Sequence, residues 1–372
     1  MEQLFEQVLR FGKPMTYYLF VTELKGFGTI FLKGVLCMDG IQWVERFTCA
    51  LADKGRRPST VRRYRYDLLD FFKWLGDKDF HSMEQTDAER YFYELIEDRS
   101  YQTRTIRRVA SVLRQFTAFL IAEKRMASHP LLTYDPPPLE AEPLQPHEWV
   151  NAKEIAAILR SSQSEKGLTD NQLLARPQLT KRNFALFLLL AHYGLTLQEL
   201  CDLQMNDVNF VKGTLLIRRD SGHDRQLALC PKNAKQLHAY WTLIPEPVRP
   251  RLHTDDPLFV AFDFTRRTYH WSYENNAPKA LTEIALQKMI RTEVARAGLR
   301  KGISAQHFRH SFLLKLMLSG EQWTTIQQKA GLKSMLSLRR YALTVKKMNV
   351  ARRQELLPTA AEIGTDSHLS SS

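Results

Sequence analysis

Cysteine is scarce in this chain. The four present in 372 residues, Cys37, Cys49, Cys201 and Cys230, form no C-x-x-C pair and no zinc-ligand spacing. That excludes a disulfide framework and a structural zinc module, and points to reduced, partly buried thiols in a cytoplasmic protein. Long hydrophobic runs are absent too. The most apolar early stretch, Tyr17 to Met38, is interrupted by Glu23, Lys25 and Lys33 and by three glycines. It is too polar to span a bilayer, and it lacks the basic start and small-residue cleavage site of a signal peptide. Acidic residues are the third shortage: 40 Asp and Glu stand against 53 Lys and Arg, a net charge of +13. Such a surplus points to a polyanionic partner, nucleic acid before a membrane surface, with a merely basic solvated face as the alternative. At 44% hydrophobic and 25% charged, the composition is that of a soluble globular protein long enough for two or more domains.

Residues 1–40 show no pattern beyond that of an N-terminal extension. From 41 to 129 the chain reads as a helical domain. Ile41, Val44 and Phe47 open one amphipathic run, and Pro58-Ser59-Thr60 then caps a helix on which Val61, Tyr64, Leu68, Phe71 and Leu75 recur at helical spacing. Thr86 to Ile96 reads as a shorter helix with an acidic surface. Thr103 or Thr105 starts the next, with Ile106, Val109, Leu113 and Phe116 inward.

The outward sides carry Arg62, Arg63 and Arg65 on one helix and Arg104, Arg107, Arg108 and Arg114 on the other. Arginine rows at two neighbouring helix starts suit phosphate contacts along a groove, where guanidinium groups neutralise backbone charge. For any single arginine, a solvated face explains the pattern equally well.

Pro130, Pro136, Pro137, Pro138, Pro143 and Pro146 mark 130–148 as a semi-rigid, extended linker. Beyond it, Asn151 to Leu159 reads as a capped helix, 164–180 as a polar loop insertion, and Lys181 to Leu190 as a strongly apolar helix. Thr214 to Ile217 and Gln226 to Leu229 form a hairpin around Ser221-Gly222-His223-Asp224. Residues 232–300 read as largely helical around a proline-rich aromatic loop from Pro245 to Tyr273. Residues 351–372 form a polar tail.

The C-terminal third carries the strongest motif. Gln306-His307-Phe308-Arg309-His310 opens an apolar helix, Gly331 follows, and Tyr341 ends a basic segment containing Arg339 and Arg340. Upstream, Gly194-Leu195-Thr196-Leu197-Gln198-Glu199-Leu200 and Arg225 complete a series spread over much of the chain. This series resembles the tyrosine recombinase (phage integrase) family: its Gly-Leu-Arg-x-x-Glu-Leu box, its His-x-x-Arg-His box, its Gly-His turn and its nucleophilic tyrosine. The stretches PSTVRRYRYDL and TRTIRRVASVLRQF are similar to the family's SAM-like core-binding domain.

The resemblance implies a mainly α fold with a small β-hairpin or sheet: a SAM-like DNA-binding domain at 41–129 and a mixed α/β catalytic domain at 149–350. It implies double-stranded DNA as partner, assembly on it with copies of itself or with another recombinase, a mobile-element setting, and no metal or other cofactor. It implies Tyr341 as the nucleophile that forms a 3′-phosphotyrosine, and Arg309 and His310 as stabilisers of the phosphate's transition state. Arg225, Arg339 and Arg340 join the helical arginines as DNA contacts.

Four family positions carry other residues. Thr196 replaces the first arginine, Asp220 the hairpin lysine that protonates the leaving oxygen, Gln306 the first histidine of the box, and Leu332 the histidine or tryptophan after Gly331. Losing one charged donor commonly removes on the order of 3–4 kcal/mol of transition-state stabilisation. Together the losses exceed about 6 kcal/mol, roughly four decades in rate. Arg218 or Arg219 could reach in for the lysine, and His192 or His307 for the imidazole, although His307 is turned by about 100° from the family register. Three readings remain: a DNA-binding family member with crippled cleavage, acting as accessory subunit or regulator; an active site-specific recombinase working through Tyr341; and a helical scaffold for RNA or protein.

Overall fold

Aromatic residues at helical spacing build the first of two units. The computed structural model describes residues 35–138, 140–218 and 224–357, and the chain divides into two compact units between Glu140 and Ala141. In the first, α1 (Val35–Asp53) packs on α2 (Pro58–Leu75) and α4 (Thr103–Ala122), with α3 (Gln85–Tyr93) completing the set. Pro58 occupies the first turn of α2, where its missing N–H has no intrahelical partner to lose. Leu68, Phe71 and Phe72 on α2 and Val109, Leu113 and Phe116 on α4 are buried together with Tyr91, Phe92 and Phe80. Phe71, Phe72, Phe80 and Phe116 meet edge-on or tilted, the arrangement that ring quadrupoles favour. Most of the apolar positions read from the sequence form this core; Val61 and Tyr64 pack at its edge half-buried, and Ile41 is exposed.

The second unit is organised round α6 (Asp170–Tyr193). Seven consecutive residues, Ala185 to Ala191, are buried, so this part of the helix is covered on every side. Packed against it are α5 (Ala152–Gln163), α8 (Pro231–Leu243) and α10 (Ala305–Leu318). α9 (Glu283–Arg296) lies on α5 and on the short α7 (Leu197–Asp202). Three short antiparallel strands run in the order β1 (Val208–Asn209), β2 (Thr214–Ile217), β3 (Arg225–Ala228). Leu215 pairs with Leu227 and Ile217 with Arg225, and all four lie on the buried face. After α10 come α11 (Trp323–Ala330), α12 (Arg339–Lys347) and α13 (Val350–Leu356).

Several expectations are corrected. The loop expected at 164–180 is helical from Asp170, because α6 begins eleven residues before Lys181 and contains Pro177. Proline removes one helical hydrogen bond and crowds the preceding turn. Here tertiary contacts override it: the buried Arg176 side chain bonds Glu293 and the carbonyls of Ser161, Ser162 and Ser164, anchoring this part of α6 to α5 and α9. The aromatic loop contains two ribbons, β4 (Phe262–Asp263) with β5 (Thr268–Tyr269) and β6 (Trp271–Ser272) with β7 (Ala277–Pro278). The tail expected from residue 351 starts inside α13, whose Leu356 is buried and which packs on α10 and α5.

The proline-rich stretch is docked near both ends. Arg107 donates to the carbonyls of Pro136 and Pro137, and Tyr134 stacks on Phe92 at 3.7 Å. Within the second unit, Leu144 N–H donates to Thr344 Oγ1 at 2.8 Å. The expected turn at Ser221-Gly222-His223, Arg219, Asp220, residues 1–34 of the expected N-terminal extension and residues 358–372 of the tail lie outside the described residues. No helix among the described residues is long and apolar enough to cross a membrane.

Candidate active site and nucleic-acid interface

The tyrosine at the end of the basic segment turns inward. Tyr341 lies in the first turn of α12 and is 6% exposed, packed with Leu144, Trp149, Phe312 and Leu338. His310, on the second turn of α10, places Nδ1 2.8 Å from the Tyr341 hydroxyl. Burial first, and then the Arg340 guanidinium nearby, pushes the His310 imidazole down to about 4. The ring is therefore neutral at physiological pH, with one nitrogen bearing a proton and the other a lone pair.

Gln306 decides which nitrogen is which. Its amide lies one turn back on α10, with Nε2 3.3 Å from His310 Nε2. With the amide N–H donating to Nε2, the proton sits on Nδ1, and His310 donates to the tyrosine oxygen. With the amide turned over, Nε2–H donates to the Gln306 carbonyl and Nδ1 accepts the phenolic proton as a general base.

Arg309 is held by the ends of two helices. Its Nη1 donates to the Gly194 carbonyl at 2.7 Å and its Nη2 to the Ala330 carbonyl at 2.6 Å. Gly194 ends α6 and Gly331 ends α11, both in left-handed conformation with φ of 59°. Each glycine stops its helix where the terminal carbonyls can meet a cation, which the helix dipole also favours. A Cβ on Gly194 would come within 2.5 Å of the Phe312 ring, a second reason for glycine there.

Thr196 caps α7. Its hydroxyl accepts from Glu199 N–H at 3.2 Å, while Glu199 Oε2 accepts from Thr196 N–H at 2.9 Å, a reciprocal capping box. Glu199 is buried and also accepts from Arg225 Nη1 at 2.6 Å, with Arg309 Nη1 3.9 Å away. Burial alone would raise its carboxyl; the Arg225 bond, the capping N–H and Arg309 hold it below the usual carboxylate range. Leu332 supplies only packing, half-buried against the apolar cluster round Tyr341.

Of the substitutes considered for the missing groups, Arg218, His192 and His307 are engaged elsewhere, and Arg219 lies outside the described residues. Arg218 pairs with Asp207 at 2.5 Å, His192 meets Asn233 at 2.9 Å, and His307 turns back to the Ser304 hydroxyl at 2.9 Å. Asp220 lies outside the described residues.

Among the expected DNA contacts, Arg62, Arg104 and Arg339 are exposed, while Arg63 is exposed and 3.8 Å from Asp67. The others have partners within the chain. Arg65 pairs with Glu45 at 2.6 Å, Arg108 with Asp67, Arg107 with the proline carbonyls, and Arg225 with Glu199. Arg340 donates from Nη2 to both Glu148 oxygens at 2.7 and 3.0 Å. A cleft of about 540 Å³ between α2 and the start of α4 is lined by Arg63, Asp67, Asp70, Tyr101 and Arg108, carrying both charge signs. The inward partners of Arg107 and Arg340 lie 29 and 192 residues away, beyond any local pattern.

A family model described as “Phage integrase family” matches residues 148–347, more than half of the chain. The chain belongs to that family, the tyrosine recombinases. A second model, “Phage integrase, N-terminal SAM-like domain”, matches residues 44–124. The chain is 23% identical over 283 residues to tyrosine recombinase XerD of Oceanobacillus iheyensis, covering 75% of this chain and 85% of the relative. It is 24% identical to tyrosine recombinase XerC of Halalkalibacterium halodurans, covering 82% and 93%. Among solved structures, the fold is similar to the XerH site-specific recombinase bound to palindromic difH substrate, with a TM-score of 0.61 at 14% identity over 84% of this chain and 94% of that one. It is also similar to a lambda integrase dimer bound to a COC' core site, with a TM-score of 0.54 at 15% identity over 83% and 96%. The mainly α recombinase fold read from the sequence is the fold observed. Of the residues expected to carry the chemistry, Tyr341 and His310 are hydrogen-bonded, Arg309 is held by two helix ends, and Thr196 is a helix cap.

Proposed function

We propose that this chain binds duplex DNA in a site-specific recombination setting and that its strand cleavage is impaired, so that it serves as an accessory subunit or regulator. It would assemble on DNA with its own copies or with a partner recombinase. The basic surplus and the exposed arginines support the DNA partner, as do two proteins of similar fold solved bound to a palindromic difH substrate and to a COC' core site. A cytoplasmic setting fits the free thiols of Cys49, Cys201 and Cys230.

Thr196 carries the impairment. It is not merely smaller than the family's arginine; its hydroxyl is engaged in capping α7. The pentavalent phosphate in flight carries extra negative charge on its non-bridging oxygens. A neutral, engaged hydroxyl stabilises this far less than a bidentate guanidinium, and Leu332 adds no donor.

One observation favours the second reading, an active recombinase. The Tyr341–His310 bond at 2.8 Å is a nucleophile already joined to a neutral imidazole. In that chemistry the tyrosine oxygen bonds to phosphorus as the 5′-oxygen leaves with a proton, and the 3′-phosphotyrosine preserves the phosphodiester energy for religation. Covalent trapping on nicked duplexes from DNA flanking the gene, comparing wild type with Tyr341→Phe, separates the two. Salt-sensitive binding without an adduct is expected; a denaturation-stable adduct that disappears with Tyr341→Phe would overturn the impairment.

A further inference from the structure

Strand β3 carries a buried group that no step above uses. Arg225 lies on the inward face, opposite Ile217 and in phase with Leu227. Its side chain is 7% exposed and gives one nitrogen, Nη1, to Glu199. Its Nε and Nη2 are buried and have no hydrogen-bond partner among the described residues. Buried donors are almost always satisfied, and a guanidinium with two nitrogens unmet marks a place where another group completes the site.

The location identifies the kind of group. The Glu199 carboxylate that holds Arg225 also accepts the Thr196 backbone N–H and lies 3.9 Å from Arg309. One carboxylate thus links two guanidiniums at the residue where the family's first arginine is missing. Among these three side chains, two positive charges face one negative charge, leaving room for one more negative charge. A phosphodiester carries one, on two non-bridging oxygens that match guanidinium forks.

We propose that Arg225 replaces the arginine absent at position 196 and, with Arg309, grips a single DNA phosphate. Glu199 positions the two guanidiniums and touches no DNA. This rests on the DNA-binding reading above and concerns holding a phosphate; it requires no cleavage.

The test uses the full chain and a duplex that the wild type selects from a random-sequence pool. Each phosphate in turn is replaced by a neutral methylphosphonate, and affinity is measured. Wild type is expected to lose about tenfold at one position, the scale of one charge-assisted contact. Arg225→Gln is expected to bind the unmodified duplex about tenfold more weakly and to show no further loss at that position, with sensitivity elsewhere unchanged. Adding Thr196→Arg to Arg225→Gln should restore both the affinity and the sensitive position, which a purely structural role for Arg225 would not produce. If Arg225→Gln does not fold, Arg225→Lys keeps a cation beside Glu199 while removing the fork, and a reduced loss at the same position is expected. Binding by Arg225→Gln, or by Arg225→Lys if only that folds, with the wild-type sensitive position intact overturns the role of Arg225 alone. A wild type that binds no duplex at any salt overturns the DNA-binding reading and this role with it.

Discussion

On one side of the site, Tyr341, His310 and Gln306 are joined by two hydrogen bonds, at 2.8 and 3.3 Å. On the other, Thr196, Glu199, Arg225 and Arg309 surround one buried carboxylate. The first side holds the tyrosine proposed as nucleophile among neutral groups whose proton positions can exchange. The second has a helix cap at Thr196, where the sequence comparison with the family expects an arginine, and carries its charge in a salt-bridged cluster. Removing one partner of a buried ion pair leaves an uncompensated charge, whereas removing a phenolic hydroxyl forfeits roughly one net hydrogen bond. The two sides should therefore differ sharply in how much folding stability depends on them.

Glu199→Ala breaks this comparison open with the largest effect. It strands Arg225 and leaves Arg309 without its carboxylate neighbour, which should cost about 3–5 kcal/mol of unfolding free energy. Tyr341→Phe should cost about 1 kcal/mol. Urea titration of both variants checks the pair; comparable losses would mean that the nucleophile side is as structural as the other.

The nucleophile side responds instead to pH. His310 is held at about 4 in the folded protein, against an ordinary value of 6.5. Between those values the unfolded chain binds a proton that the native chain does not. Stability attributable to His310 is thus present above about pH 6.5 and falls away as pH drops toward 4, by on the order of 2–3 kcal/mol. His129 and His307 are depressed in the same direction, mainly by burial. The informative quantity is the difference between wild type and His310→Gln across that window. Parallel curves would contradict a buried neutral imidazole at this position.

How much of this was legible follows the same division. The box from Gln306 to His310 and its spacing to Tyr341 can be read because helix turns and glycine caps fix them locally. Gly194 and Gly331 recur in the motif as the ends of α6 and α11, whose last carbonyls cradle Arg309. The charged cluster was less legible. Arg225 was read as a DNA contact outside a strand expected from Gln226 to Leu229; the observed strand runs from Arg225 to Ala228 and puts Arg225 on the inward face with Leu227. Residues 164–180 were read as a polar loop because the Arg176 network that holds the start of α6 joins residues from three helices. Two-residue strands such as Phe262–Asp263 are too short to show an alternating pattern.

A smaller effect should come from the strap beside the nucleophile. Glu148 receives two bonds from Arg340, the residue before Tyr341, and Glu142 O accepts from Arg340 Nε at 3.2 Å. Both partners are about a quarter exposed, so Glu148→Gln should cost only about 1 kcal/mol. The loss should be local, appearing as faster amide exchange in α12 and not in α6. Uniform acceleration through the unit would show that the pair supports the whole unit and has no special link to the tyrosine helix.

The last expectation is no effect at all. Thr196→Arg returns the family residue to its position, and if one missing guanidinium were the only defect, cleavage should recover by two to three decades. Leu332 would still offer no hydrogen bond, and Asp220 would still put negative charge where the family has a proton-donating lysine. Arginine would also remove the cap whose hydroxyl accepts from Glu199 N–H, at a cost of about 1 kcal/mol. Transition-state groups that act as a unit are grossly non-additive, so restoring one leaves the others limiting. Thr196→Arg should therefore form no covalent adduct on a nicked duplex, just as wild type should form none. Adduct formation by this single variant would place the whole deficit at position 196 and show that the nucleophile side, with Tyr341 already bonded to His310, is competent as it stands.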